Sequence, residues 1–148
     1  MPAVFGKQEA HLLLENVFAP WVQDLGLEIG DVSENQCDFI LPAGEKLVRQ
    51  AGVNSENAGK PIVCGQALAA AADTASVLGL ALINGNIRPN TTTDFSIRFL
   101  RPIFEGNVKI VVRPLSNGKR MAVTEVHFYS EGGTKPGAHA TCTFAFLD

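Results

Sequence analysis

The chain has 148 residues, 46% of them hydrophobic and 18% charged, with a net charge of −3. That is enough for one domain, residues 1–148, with a real core, and too apolar for a disordered segment. No dense Lys/Arg stripe is present, which argues against nucleic acid as a main partner.

The three Cys (Cys37, Cys64, Cys142) lie far apart and form no CxxC pair. This speaks against a disulfide framework and for a reducing compartment. The opening MPAVFGKQEAHLLLE lacks a basic segment followed by a long apolar one, so no signal peptide and a cytoplasmic location are expected.

Apolar residues at Leu12, Leu13, Val17 and Phe18 predict an amphipathic helix over 7–19, stopped near Pro20. Leu25–Ile29 and Cys37–Leu41 alternate and read as strands. Residues 42–61 hold three Gly, two Pro and two Asn and read as a loop able to line a site. A long helix over 62–82 follows, then a turn-rich break at 84–90. Strands are expected at 91–100, 107–116, 119–130 and 138–147, with Asn117-Gly118 as a two-residue hairpin turn. Strands do not alternate with helices. The fold class is therefore α+β, with a mostly antiparallel sheet wrapped around a helix buried nearly all round.

The central helix carries the most informative residue. From Ala67 to Ile83 the only polar side chains besides Asp73 are Thr74 and Ser76. An ionised carboxylate buried without partners is costly, so either a neighbour satisfies Asp73 or chemistry uses it. Asp73 near the middle also argues against a membrane span. No HExxH, CxxC pair, GxGxxG or P-loop is present, and His11, His127 and His139 lie in separate segments, so no metal site is expected.

Four segments carry a family resemblance: Leu25–Ile29 leading to Phe39–Pro42, VCGQALAAAADTA at 63–75, Thr92–Pro102, and Gly118–Val123. In these the chain resembles the hotdog-fold acyl-CoA thioesterases, in particular the phenylacetate-pathway group. The resemblance implies a hotdog fold and an acyl-CoA substrate, with no cofactor beyond the CoA of that substrate. The family's usual His falls on Cys64 and its second Gly on Gln66, while Gly65 and Asp73 are kept.

By this resemblance Asp73 attacks the thioester or activates water, and the Gly65 backbone N–H polarises the carbonyl. Gly65 opens the helix, where free N–H groups and the positive dipole end favour developing negative charge. Thr92 matches a position where the family has Ser or Thr and would orient the water or the carboxylate. Asn57 is the loose counterpart of a loop Asn, and Gln66 either adds an amide near the oxyanion or fills the space of the missing Gly. Cys64 adjoins the substrate, or is simply a small apolar residue. Arg101, Lys119 and Arg120 are the candidates for the CoA phosphates.

Eight helical residues rise about 12 Å, whereas reacting atoms meet within about 3.5 Å. Gly65 and Asp73 should therefore meet across a homodimer interface. The resemblance adds that such dimers often pair into tetramers. The competing readings are a non-catalytic acyl-CoA-binding hotdog protein and a hotdog hydratase, the latter disfavoured because the helix has no His.

Overall fold

The computed structural model describes residues 4–148. Strands β1 (Glu28–Val32), β2 (Cys37–Ala43), β5 (Asn90–Phe99), β6 (Gly106–Asn117), β7 (Met121–Tyr129) and β8 (Ala138–Phe146) form one antiparallel sheet. Its order is β1-β2-β6-β7-β8-β5, which leaves β5 as an edge strand. Helices α1 (Lys7–Asn16), α2 (Pro20–Gln23) and α3 (Gly65–Asn84) complete the chain, with a small hairpin of β3 (Val48–Gln50) and β4 (Pro61–Val63) before α3.

Alternation in the strands decides which face meets α3. Cys37, Phe39, Leu41 and Ala43 of β2 are buried, as are Ala122, Thr124, Val126 and Phe128 of β7. Ala71, Ala72 and Ala75 of α3 are fully buried and small, and Gly79 lies so close that an added Cβ would stand 3.2 Å from Val112 Cγ1. Small residues thus let the helix sink onto the sheet, where close contacts accumulate. The Ser76 and Thr124 hydroxyls satisfy each other inside this contact at 2.7 Å. The fold is the expected α+β hotdog arrangement of a long helix packed on a curved antiparallel sheet.

Several local expectations change. The helix expected over 7–19 ends at Asn16, and Pro20 opens a separate short helix, at a position where its fixed φ is favourable. Leu25 and Leu27 are buried, but β1 begins only at Glu28, after Gly26 turns the chain at φ +69°. The 42–61 loop contains a 3-10 turn at Glu45–Leu47, the strand β3 and the start of β4. Helix α3 starts at Gly65 rather than 62 because Pro61–Val63 pairs with β3, and it ends at Gly85 in the left-handed conformation that glycine favours. The β6–β7 turn centres on Lys119-Arg120 rather than Asn117-Gly118, closed by the Gly118 N–H on the Met121 carbonyl.

Helix α3 is long and apolar enough to cross a membrane, and it is the core helix of this fold. It is not covered all round. Ala69, Ala70, Asp73 and Val77 form one half-buried stripe, with Gln66 exposed at its start. The spacing of three and four residues puts them on a single face.

Candidate active site

Asp73 projects from the uncovered stripe of α3, so its carboxylate is not sealed in the core. Its partner is Thr92, whose hydroxyl donates to Asp73 Oδ1 at 2.7 Å. Thr74 takes no part, since its hydroxyl turns back to the Ala70 carbonyl at 2.8 Å.

Strand β5 reaches Asp73 through a bulge. Thr92 pairs with Phe144 and Asp94 with Thr143, which leaves Thr93 as an extra residue. Phe144 and Cys142 of β8 face the core, so both Thr92 and Phe95 face α3. Regular alternation would have sent one of them to the opposite face. Thr92, Phe95, Ala69, Ala70 and Asp73 line a cavity of about 240 Å³. Thr92 also borders a larger apolar cavity of about 580 Å³, walled by Leu13, Phe18, Val77, Ile87 and Pro89.

Gly65 lies elsewhere, at the first position of α3. Cys64 before it makes no side-chain cap, so the first N–H groups of the helix keep their donor capacity. The β3–β4 hairpin fixes this end: the Cys64 N–H bonds the Leu47 carbonyl at 2.8 Å and the Val63 N–H the Ile103 carbonyl at 2.7 Å. A cavity of about 460 Å³ opens here, lined by Gly65, Leu68, Phe99, Arg101 and Arg49 among others. The Phe99 ring stands over Gly65, where an added Cβ would lie 3.0 Å from its Cζ.

The structure therefore brings Asp73 and Thr92 together, and Gly65 and Arg101 together, in two separate cavities of one chain. Cys64 and Gln66 flank Gly65, Cys64 half-buried and Gln66 exposed. Arg101 also donates to the Pro136 carbonyl at 2.7 Å. Asn57 lines neither cavity; its backbone N–H bonds the Ser55 hydroxyl and its carbonyl accepts from Lys60. Lys119 and Arg120 sit in the β6–β7 turn, near the C-terminal end of α3, where Asn84 and Asn117 are hydrogen-bonded. This is the far end of a 20-residue helix from Gly65, about 29 Å along its axis.

Arg49 was not among the residues expected at the site. Its segment reads as loop from composition, and only pairing with β4 places it beside Gly65. Cys37 and Cys142 take no part in this chemistry. Both are buried, and burial pushes their thiols up, that of Cys37 to about 12.

Comparison with known proteins agrees with the fold. Residues 62–136, or 75 of 148, match the family model described as the thioesterase superfamily. ComA2 of Bacillus subtilis (strain 168), provisionally named an esterase, is 25% identical over 111 residues, which cover 74% of this chain and 81% of that protein. The structure of thioesterase HI1161 from Haemophilus influenzae superposes with a TM-score of 0.79 at 20% identity, covering 97% of this chain and 92% of that one. PaaI of E. coli, from the phenylacetic acid degradation operon, gives a TM-score of 0.73 at 20% identity, covering 95% and 92%. At such identities the two structures speak for the fold alone. The family model spans α3, with both Gly65 and Asp73, and strands β5 to β7, so the chain belongs to the hotdog-fold thioesterase superfamily, whose reaction is the hydrolysis of thioesters.

Proposed function

We propose that the chain hydrolyses an acyl-CoA thioester to free acid and CoA, working as a homodimer with two symmetric sites. Asp73 of one protomer acts as nucleophile or general base, and the Gly65 N–H of the other polarises the thioester carbonyl. The observation that carries this reading is the hydrogen bond from Thr92 to Asp73 at the wall of an open cavity, at a bulge that turns Thr92 inward. It gives the acid a fixed orientation and leaves one carboxylate oxygen for the reaction.

Distance supports the dimer. Gly65 and Asp73 are eight residues apart on one helix, about 12 Å of rise, and they line different cavities. Strand β5 supports the same reading, since it is a ten-residue edge with unpaired backbone groups. Its end exposes Phe99 and Leu100 beside the Gly65 cavity.

In the general-base form, Asp73 takes a proton from water while the water oxygen bonds to the carbonyl carbon. The oxyanion forms against the helix N-terminus, where N–H groups and the dipole favour it. It then collapses with cleavage of the C–S bond, and the proton passes to the CoA thiolate. Arg49 and Arg101 suit the CoA phosphates at the mouth of the Gly65 cavity. The apolar cavity bordered by Thr92 offers space for the acyl chain.

The test is thiol release from a panel of short, long and aromatic acyl-CoAs. Asp73→Asn should lower the rate by about 10²–10⁴-fold, the usual contribution of a positioned acid or base. Unchanged release would remove Asp73 from the chemistry. Tight binding of acyl-CoA with no thiol release by the wild type would assign a carrier instead, and an absorbance change at an enoyl thioester without free thiol would assign a hydratase.

A further inference from the structure

The outer face of the sheet holds a cluster that thioester chemistry does not use. Strands β7 and β8 place His127 opposite His139 and Glu125 opposite Thr141. Thr124, Val126 and Phe128 face the core, so the alternate residues Glu125 and His127 turn to the other side, with His139. There Glu125 Oε1 stands 3.2 Å from His139 Nε2 and 3.7 Å from His127 Nε2. The two imidazole centroids are 4.7 Å apart and tilted by 55°. One donor atom of each residue lies within 4.8 Å of both others.

Two donors each about 2.1 Å from a tetrahedral zinc lie about 3.4 Å apart, and the two Glu125–imidazole separations of 3.2 and 3.7 Å bracket that spacing. His127 also lacks other partners among the described residues. Its Nδ1 is buried with no hydrogen bond, and 3.7 Å is too long for one at Nε2. The side chains of His127, His139 and Glu125 are only 19%, 24% and 25% exposed, so the cluster is partly withdrawn from water.

We propose that Glu125, His127 and His139 bind a divalent transition-metal ion, with zinc the ion best suited to their donors, on the face of the sheet opposite α3. Two imidazoles and a carboxylate supply three ligands and leave a fourth position for water. Calcium and magnesium prefer all-oxygen shells, so they fit poorly. Arg113 faces Glu125 from β6, and Arg98 faces His139 from β5. With two cations at the border, the ion is held by lone pairs rather than by a net negative field. Arg113 is itself turned aside, donating from Nε to Gln36 Oε1 at 2.9 Å.

The site lies on the opposite side of the sheet from Asp73, so its failure and that of the hydrolase reading are separable. The chelator-stripped full chain is titrated with zinc chloride by calorimetry and by competition with a chromogenic zinc chelator. One ion per chain is expected. His127→Ala and His139→Ala should each weaken binding by at least about 10-fold, while His11→Ala and Cys64→Ser leave it unchanged. Should an alanine variant lose its native circular dichroism, His139→Gln repeats the measurement at near-constant volume. No zinc uptake by the wild type, or equal uptake in folded His127→Ala and His139→Ala, would overturn the proposal.

Discussion

Gly65→Pro tests the reaction at a single atom. Proline at the first helical position removes an N–H that has no intrahelical acceptor, and its fixed φ suits that position. The preceding Cys64 has φ −70° and ψ 148°, the extended geometry a following proline requires. Gly65 itself has no positive φ to lose. The new Cβ would lie 3.0 Å from the Phe99 Cζ, but that ring is 57% exposed and can give by a few tenths of an ångström. The variant should therefore fold and lose only the donor. Loss of one oxyanion donor costs about 2.7–4 kcal/mol in the transition state, so kcat for thiol release should fall about 10²–10³-fold with little change in KM. Thermal unfolding by circular dichroism serves as the folding control. Co-refolding equal amounts of Gly65→Pro and Asp73→Asn should then restore about a quarter of wild-type activity, since half the dimers are mixed and each mixed dimer keeps one intact site. A wild-type kcat in folded Gly65→Pro would remove the N–H from the mechanism, and no recovery on mixing would remove the shared site.

Other perturbations probe the acid and the scaffold. Thr92→Val deletes the charge-assisted hydrogen bond to Asp73 and should lower kcat about 10-fold, with no further loss in an Asp73→Asn background; additive losses would show that the hydroxyl acts elsewhere. Ser76→Ala strands the buried Thr124 hydroxyl and should cost about 1–3 kcal/mol in denaturant unfolding, whereas Ser76→Ala with Thr124→Val should recover part of that loss. Gly85→Ala forces φ +70° on a residue with a Cβ and should cost about 1 kcal/mol, while Gly52→Ala, in open space, should be neutral or slightly stabilising. Burial raises the Cys37 thiol in the folded state only. Stability from keeping it protonated is whole below pH 9 and should fall as pH rises from 9.0 to about 12, more steeply in the wild type than in Cys37→Ala.

Much of the architecture was legible because its causes are local. Alternation marked β2, β7 and β8, and an apolar run broken by one acid marked α3 and its candidate nucleophile. What failed was local signal overridden by pairing. Ile62 and Val63 read as the start of a helix but take strand partners, and a Gly-rich loop hides the hairpin that carries Arg49 to the Gly65 cavity.

Thus the one-dimensional pattern determined the class of fold and the central helix and singled out Asp73 as the one acid in its apolar run, since burial periodicity repeats over a few residues. Tertiary structure alone decided three other things. It gave α3 an uncovered stripe, it inserted the bulge that aims Thr92 at Asp73, and it brought His127, His139 and Glu125 into one cluster. Each depends on strand register and on which sheet edge stays open. These are set by contacts between residues distant along the chain, and no short window of sequence records them.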